Sequence, residues 1–188
     1  YNIPKLKAFT PVCTTEMIAF SKAYTHFQKM NTELLGLSID SNASHLAWMN
    51  DIYQRTRIVL PFPIVADRSG EIARLYGMIS KDISSTQTVR DVIIIDPEST
   101  IRVILTYPLN VGRNIAEIIR TVQALQMADC AKASTPVNWI PNQPVILPAP
   151  QTYPELEKRK EYIEQNNNGI SWYLSFKEPQ ENCLKEDF

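Results

Sequence analysis

Residues 33–39 read ELLGLSI, a short and nearly unbroken apolar run. A strand with one face in water would alternate apolar and polar residues, so this run is expected to form a strand buried on both faces. Such a strand needs cover from either side, and the flanking sequence can supply it. From Thr14 to Met30 the apolar residues Met17, Phe20, Tyr24 and Phe27 recur at spacings of three and four, the stripe of an amphipathic helix. After the run, Ser41 or Asn42 caps a second helix through about Arg55, with Leu46, Met49 and Ile52 predicted to face inward.

The pattern continues downstream. FPIVAD reads as a strand, GEIARLYGM as a short helix, and VRDVIIIDPESTIRVILTY as two strands joined by a turn at Asp96-Pro97-Glu98-Ser99. A last helix spans about Arg113 to Met127, with Ile115, Ile118, Ile119, Val122 and Leu125 on its inward face. Alternation of this kind followed by a hairpin predicts an α/β layer fold with a central mixed sheet. Beyond Ser134 the texture changes, because TPVNWIPNQPVILPAPQTYP holds six of the 13 prolines. That stretch is expected to be an extended surface arm. The chain therefore divides into a domain at 1–134 and an arm at 135–188. A short charged helix, Glu155 to about Gln165, and the aromatic segment SWYLSF lie within the arm. Trp172, Tyr173 and Phe176 pack either in a core or on a partner subunit.

The 188 residues carry a formal net charge of −1 and no long block of one sign, so nucleic acid and anionic membranes are not expected partners. No apolar run approaches the roughly 20 residues that span a bilayer, and YNIPKLK has no signal-peptide core. Three cysteines, Cys13, Cys130 and Cys183, are far apart and form no CxxC pair, which argues against a metal site or a disulfide-stapled scaffold. Widely spaced thiols suit a reducing compartment, and a cytoplasmic location is the expectation.

Cys13 lies in AFTPVCTTE, at the start of the first helix. There it meets unpaired backbone N–H groups and the positive end of the helix dipole, both of which favour a thiolate. The phosphatase pattern C-x5-R fails because Ala19 occupies the arginine's place, and Glu16 stands where a dithiol motif needs its second cysteine. What remains is a lone thiol, with Thr10 three residues before it and Glu16 three residues after.

FTPVCTTE resembles the peroxidatic loop of peroxiredoxins, the alkyl hydroperoxide reductase and thiol-specific antioxidant superfamily. FPIVAD, ARLYGM, TVRDVIIIDP, YPLNVGRNIAEIIRTVQALQ and STPVNW follow in that family's order. They point to its 1-Cys-like branch, whose chains carry a long C-terminal arm. The resemblance implies a thioredoxin-like central sheet flanked by helices. It also implies a thiol-dependent peroxidase that reduces hydrogen peroxide and alkyl hydroperoxides through a cysteine sulfenic acid, with no cofactor and no metal. Thr10, Cys13 and Arg90 match the family's catalytic positions. Pro11 shields the sulfur, and Glu16 and Arg113 match the residues that orient the arginine. The implied partners are a peroxide, a thiol reductant (a thioredoxin-like protein or a small thiol), and further copies of the chain in a homodimer and a higher ring such as a decamer.

Two departures carry expectations of their own. The family's proline seven residues before the cysteine is replaced by Leu6, and the strand expected to lead into the loop has no counterpart, which predicts an omitted segment between Lys7 and Ala8. The family's C-terminal resolving cysteine corresponds to Ser175, which cannot form a disulfide. Cys183, eight residues on, is then the candidate resolving thiol, with Cys130 incidental. The alternative function is a non-enzymatic holdase or redox-relay scaffold on the same fold. A serine hydrolase is disfavoured because GLSID ends in Asp40 where a nucleophile elbow needs glycine.

Overall fold

The computed structural model describes residues 2–79, 90–179 and 183, with the side chains of 2–5 left aside. The chain forms two compact units, Tyr1–Ile115 and Ala116–Phe188. The first holds β1 (Asn2–Leu6), α1 (Pro11–Lys29), β2 (Gly36–Ser38), α2 (Asn42–Thr56), β3 (Ile64–Ala66), α3 (Glu71–Leu75), β4 (Arg90–Ile95) and β5 (Ile101–Tyr107). Its five strands run in the order β3-β2-β1-β4-β5. β1, β2 and β3 are mutually parallel, which their helical crossovers permit, while β4 pairs antiparallel with both β1 and β5.

The centre of this sheet is dry. Gly36, Leu37 and Ser38 of β2 are all buried, as the ELLGLSI run predicts. Gly36 has a steric reason to be there: a Cβ on it would sit 2.9 Å from Leu6 Cδ1 and 3.2 Å from Ile64 Cγ1, so strands on both sides press against its backbone. Leu37, Ile93, Ala73 and Met78 join strands and α3 into one apolar cluster. β4 is buried along five of its six residues, which is why RDVIII tolerates almost no polar side chain beyond its first two positions.

At the N-terminus, β1 lies between β2 and β4 and runs directly into the cysteine loop. Thr10 Oγ1 donates to Lys7 O at 2.9 Å and Ala8 N donates to Asp40 Oδ2 at 2.7 Å, closing that junction locally.

α1 begins at Pro11, earlier than the Thr14 expected from its stripe. Proline fits a first helical position because its missing N–H is not needed there. Ser41 caps α2 by accepting from Ser44 N at 3.2 Å. The inward face of α2 differs from the expected one: His45, Trp48 and Ile52 are buried, while Leu46 is 67% exposed. A stripe at 45, 48 and 52 has helical spacing, and Leu46 lies about 130° around from its centre. The hairpin turns where predicted, with Ser99 left-handed at φ 66° and Asp96 Oδ1 accepting from Thr100 N at 2.8 Å.

The second unit is built around α4 (Ile115–Ala131), with β6 (Val145–Ile146), α5 (Tyr153–Asn166), β7 (Gly169–Ser171) and β8 (Leu174–Lys177). Its strands form an antiparallel sheet in the order β6-β8-β7. The proline-rich segment is therefore less extended than its composition suggests. Trp139 and Val145 fold back onto Met127 and Ala131 of α4, and Trp139 Nε1 donates to Gln143 O at 2.9 Å. Of the helix residues expected inward, Ile118 and Val122 are buried, and Ile115, Ile119 and Leu125 are half-buried. Trp172 and Tyr173, 41% and 58% exposed, stand at the β7–β8 turn and not in a core.

Candidate active site

Cys13 is the third residue of α1, 3% exposed, and its sulfur is the only free thiol among the described residues. The next helical turn on the same face carries Glu16, also 3% exposed. Two arginines converge on this pair. Arg90, the first residue of β4, points Nη1 at both, 3.0 Å from Cys13 Sγ and 3.1 Å from Glu16 Oε2. Its Nε donates to Leu109 O at 2.8 Å, so the guanidinium is held from behind by the segment after β5. Arg113 donates from Nη1 to Glu16 Oε2 at 2.8 Å and from its backbone N to Glu16 Oε1 at 3.0 Å. Its Nη2 reaches Asp91 O at 3.2 Å.

The carboxylate of Glu16 is thus shared between two guanidinium groups in a nearly dry site. Burial pushes the Arg113 guanidinium below its ordinary value, and the opposing pull of Glu16 and Cys13 limits that fall. An arginine stays charged through such a shift. Charge-assisted hydrogen bonds of this kind fix geometry more firmly than neutral ones.

Of the residues expected to act, the structure brings Cys13, Arg90, Glu16 and Arg113 together. Thr10 precedes the helix in extended conformation, half-buried, with its hydroxyl donating to Lys7 O and making no cap bond. Pro11 is exposed, and so is Phe9 at 57%, with a left-handed φ of 56°. Cys183 belongs to the second unit and is disulfide-bonded to Cys130, with Cα atoms 5.6 Å apart, so Cys130 is not an incidental thiol. Ser175 is fully buried in β8 and accepts from Arg159 Nη1 at 2.8 Å. His26 is exposed and His45 buried. Among the described residues no cluster of histidine, cysteine and acidic side chains could hold a metal ion, and no helix is long and apolar enough to cross a membrane.

Three contributors escaped the sequence reading. Trp48 Nε1 donates to Thr14 Oγ1 at 3.1 Å, tying α2 to the residue after Cys13. Asp40 holds the loop through Ala8 N. The Leu109 carbonyl aims Arg90. Only Trp48 left a signal, as a large side chain on the 45, 48, 52 stripe with an indole N–H to satisfy.

Comparison with known proteins agrees with this architecture. Residues 5–104 match the model of the AhpC/TSA family, and residues 124–165 that of the C-terminal domain of 1-Cys peroxiredoxin. A protein named peroxiredoxin 2 from Caldanaerobacter subterraneus subsp. tengcongensis is 53% identical over 169 residues, covering 90% of this chain and 76% of that one. A peroxiredoxin from Aquifex aeolicus is 45% identical over 176 residues, covering 88% and 78%. Among solved structures, a yeast mitochondrial 1-Cys peroxiredoxin superposes with a TM-score of 0.80 at 37% identity, covering 94% of this chain and 85% of that one. A cysteine-to-serine mutant of peroxiredoxin 6 of Arenicola marina gives 0.81 at 28% identity, covering 96% and 86%. The five-stranded mixed sheet is accordingly thioredoxin-like. With a buried thiol on a guanidinium at one end of that sheet and relatives this similar along nine-tenths of its length, the chain belongs to the peroxiredoxins, thiol-dependent peroxidases that work through a cysteine sulfenic acid.

Proposed function

We propose that Cys13 is the peroxidatic cysteine, with Arg90 and Thr10 as its catalytic partners. The observation that carries the reading is the 3.0 Å contact from Arg90 Nη1 to Cys13 Sγ among side chains that are almost fully buried. Two guanidinium groups and one carboxylate leave a single positive charge there, which a thiolate balances. The thiolate attacks one peroxide oxygen in line with the O–O bond. That bond breaks, the sulfur gains the oxygen as a sulfenic acid, and the departing oxygen leaves as water or an alcohol once protonated. Arg90 stabilises the negative charge as it passes from sulfur to oxygen. Thr10 turns its hydroxyl from Lys7 O to the incoming peroxide. Pro11 shields the sulfur, and Glu16 and Arg113 hold Arg90 in place.

Cys183 is the resolving thiol of this reading once its disulfide is reduced, because Ser175 fills the family's resolving position and cannot bond to sulfur. Attack on a buried sulfenic acid requires the first turn of α1 to loosen. The exposed Trp172 and Tyr173 support an arm, residues 135–188, that crosses to a second copy in a homodimer, which associates into a ring such as a decamer. The reductant is a thioredoxin-like protein or a small thiol, and the location cytoplasmic. No observation favours the holdase or scaffold alternative over catalysis.

The test is peroxide consumption by the reduced protein. Wild type should remove one equivalent of hydrogen peroxide rapidly, and Cys13→Ser should not. In Cys183→Ser the sulfenic acid should be trapped by dimedone on Cys13. Equal consumption in wild type and Cys13→Ser would sink the assignment.

A further inference from the structure

The Cys130–Cys183 disulfide has no place in a peroxidase cycle that needs Cys183 as a thiol. Cys130 stands one residue before the end of α4 and is exposed. Cys183 is half-buried against Met127, Ala131, Trp139 and Val145. A second contact keeps the two ends of this unit together without the covalent bond: Lys177 Nζ donates to Ala131 O at 2.7 Å, where α4 ends beside Cys130. Cys183 is six positions beyond Lys177, a reach of about 20 Å at full extension, so Cys183 stays in the neighbourhood of Cys130 when both are reduced. Bond formation between them is then intramolecular, with the high effective concentration that implies.

We propose that Cys130 is a second resolving thiol, which removes Cys183 from Cys13 and stores the oxidation as an exposed disulfide for the external reductant. The inference rests on Cys13 as the peroxidatic and Cys183 as the first resolving cysteine. In the first step the Cys183 thiol attacks the Cys13 sulfenic acid; an S–S bond forms, the S–O bond breaks, and the hydroxyl leaves with the thiol proton as water. In the second, the Cys130 thiol loses its proton to solvent and its thiolate attacks Cys183 Sγ. The Cys130–Cys183 bond forms and Cys13 departs as a thiolate. No oxidant is consumed in this exchange. Its direction follows from the surroundings of the two sulfurs, because the one that leaves onto a guanidinium is the better leaving group, and Arg90 Nη1 lies at Cys13 Sγ. In the third step a dithiol attacks the exposed Cys130 sulfur, releases Cys183 as a thiolate and closes its own disulfide, regenerating both cysteines. In a reducing compartment a disulfide is expected to be transient and catalytic in this way.

The experiment is a quenched time course on the full chain, reduced with dithiothreitol, freed of it, and mixed with one equivalent of hydrogen peroxide. Alkylation in acid and peptide mapping then read each cysteine pair. In wild type a Cys13–Cys183 linkage should rise and fall before Cys130–Cys183 accumulates, with Cys13 returning to a thiol. In Cys130→Ser and Cys130→Ala the oxidation should stop at Cys13–Cys183, with tenfold or greater loss of the Cys13 thiol returned before dithiothreitol is added. The proposal is overturned if Cys130–Cys183 forms as fast in Cys13→Ser as in wild type, or if Cys13 recovers at the wild-type rate in the Cys130 variants. It also falls if the wild-type Cys13–Cys183 linkage never appears while Cys13 is oxidised, which leaves the peroxidatic role of Cys13 intact. Failure of that role is read separately, as peroxide consumption that survives Cys13→Ser.

Discussion

Cys13 and Cys130 both lie on helices, and their surroundings are opposites. Cys13 is near a helix start, buried, and touched by a guanidinium that is itself ion-paired; Cys130 is near a helix end, exposed, and tied covalently to the tail. The first environment concentrates fixed charge where solvent cannot screen it, so a sulfur there is chemically distinctive but hard to reach. The second offers access to solvent. The proposed reaction with a small peroxide draws on the former, and the proposed exchange with a bulky thiol on the latter.

The comparison breaks first at Glu16 if the buried network is not what distinguishes Cys13. Glu16→Gln leaves two buried guanidinium groups with no carboxylate between them. Removing one partner of a buried ion pair costs about 3–5 kcal/mol, so urea unfolding of the variant should show a loss of that size. A loss under about 1 kcal/mol, the ordinary value of an exposed pair, would mean that the site is wetter than its 3% exposure implies.

Arg90→Met tests the charge with little loss of volume. It removes the donor at Cys13 Sγ while Arg113 still holds Glu16. Loss of one preorganised donor to developing charge lowers rates by about 10²–10³, and the second-order rate with hydrogen peroxide should fall by that factor. The contrast sharpens if Cys130 alkylation by iodoacetamide in the reduced protein is unchanged in the same variant. A near-wild-type peroxide rate would remove Arg90 from the site.

What the sequence disclosed follows the same division. Glu16, Arg90 and Arg113 lie 74 to 97 residues apart in their contacts, and no periodicity joins them; only the resemblance of the motifs did. Apart from β1, the strands and helices of the first unit were readable from local pattern, because ELLGLSI and the VIII end of RDVIII are apolar runs between helical stripes. The second unit was harder. β6, β7 and β8 are two to four residues long, too short for alternation to register, and prolines around them read as an arm. The Cys130–Cys183 pairing spans 53 residues, and spacing alone does not encode it. Leu46 and Trp48 show another limit: hydropathy favoured the leucine, but burial went to the indole, whose N–H found Thr14.

The disulfide itself gives a smaller effect on folding. Closing a loop of 53 residues is worth up to about 4 kcal/mol in the chain-entropy picture, and bonds of this kind typically deliver about 2–4. Because the Lys177 contact to Ala131 O remains after reduction, the loss should fall at the lower end. Hydrogen exchange should show α4 and β8 losing protection on reduction, while α1 and β4 keep theirs. Equal losses in both units would show that the two sulfurs are not separated in stability as they are in chemistry.

The smallest effect concerns an ion pair of the second unit, Glu117 with Arg120, an exposed counterpart of the Glu16 pairs. Glu117 accepts from Arg120 Nε at 2.7 Å and Nη2 at 2.8 Å, and Arg120 Nη1 reaches Trp139 O at 3.0 Å. The Arg120 hydrogen bonds hold the Glu117 carboxyl below its ordinary 4.5, against a weaker opposing push from burial. A depressed carboxyl stabilises the fold above its unfolded value, and that contribution disappears as pH falls through the folded one. The side chains are 40% and 30% exposed, so solvent screening limits the effect to under about 0.5 kcal/mol. The readout is the difference in urea midpoint between wild type and Glu117→Gln, in which the acid response of every other group cancels. It should be small and positive at pH 7, shrink in about 1 M salt, and vanish toward about pH 3. A difference that persists in acid would assign the Arg120 contacts a packing role, in contrast to the buried network around Cys13, where paired charge carries the larger energy.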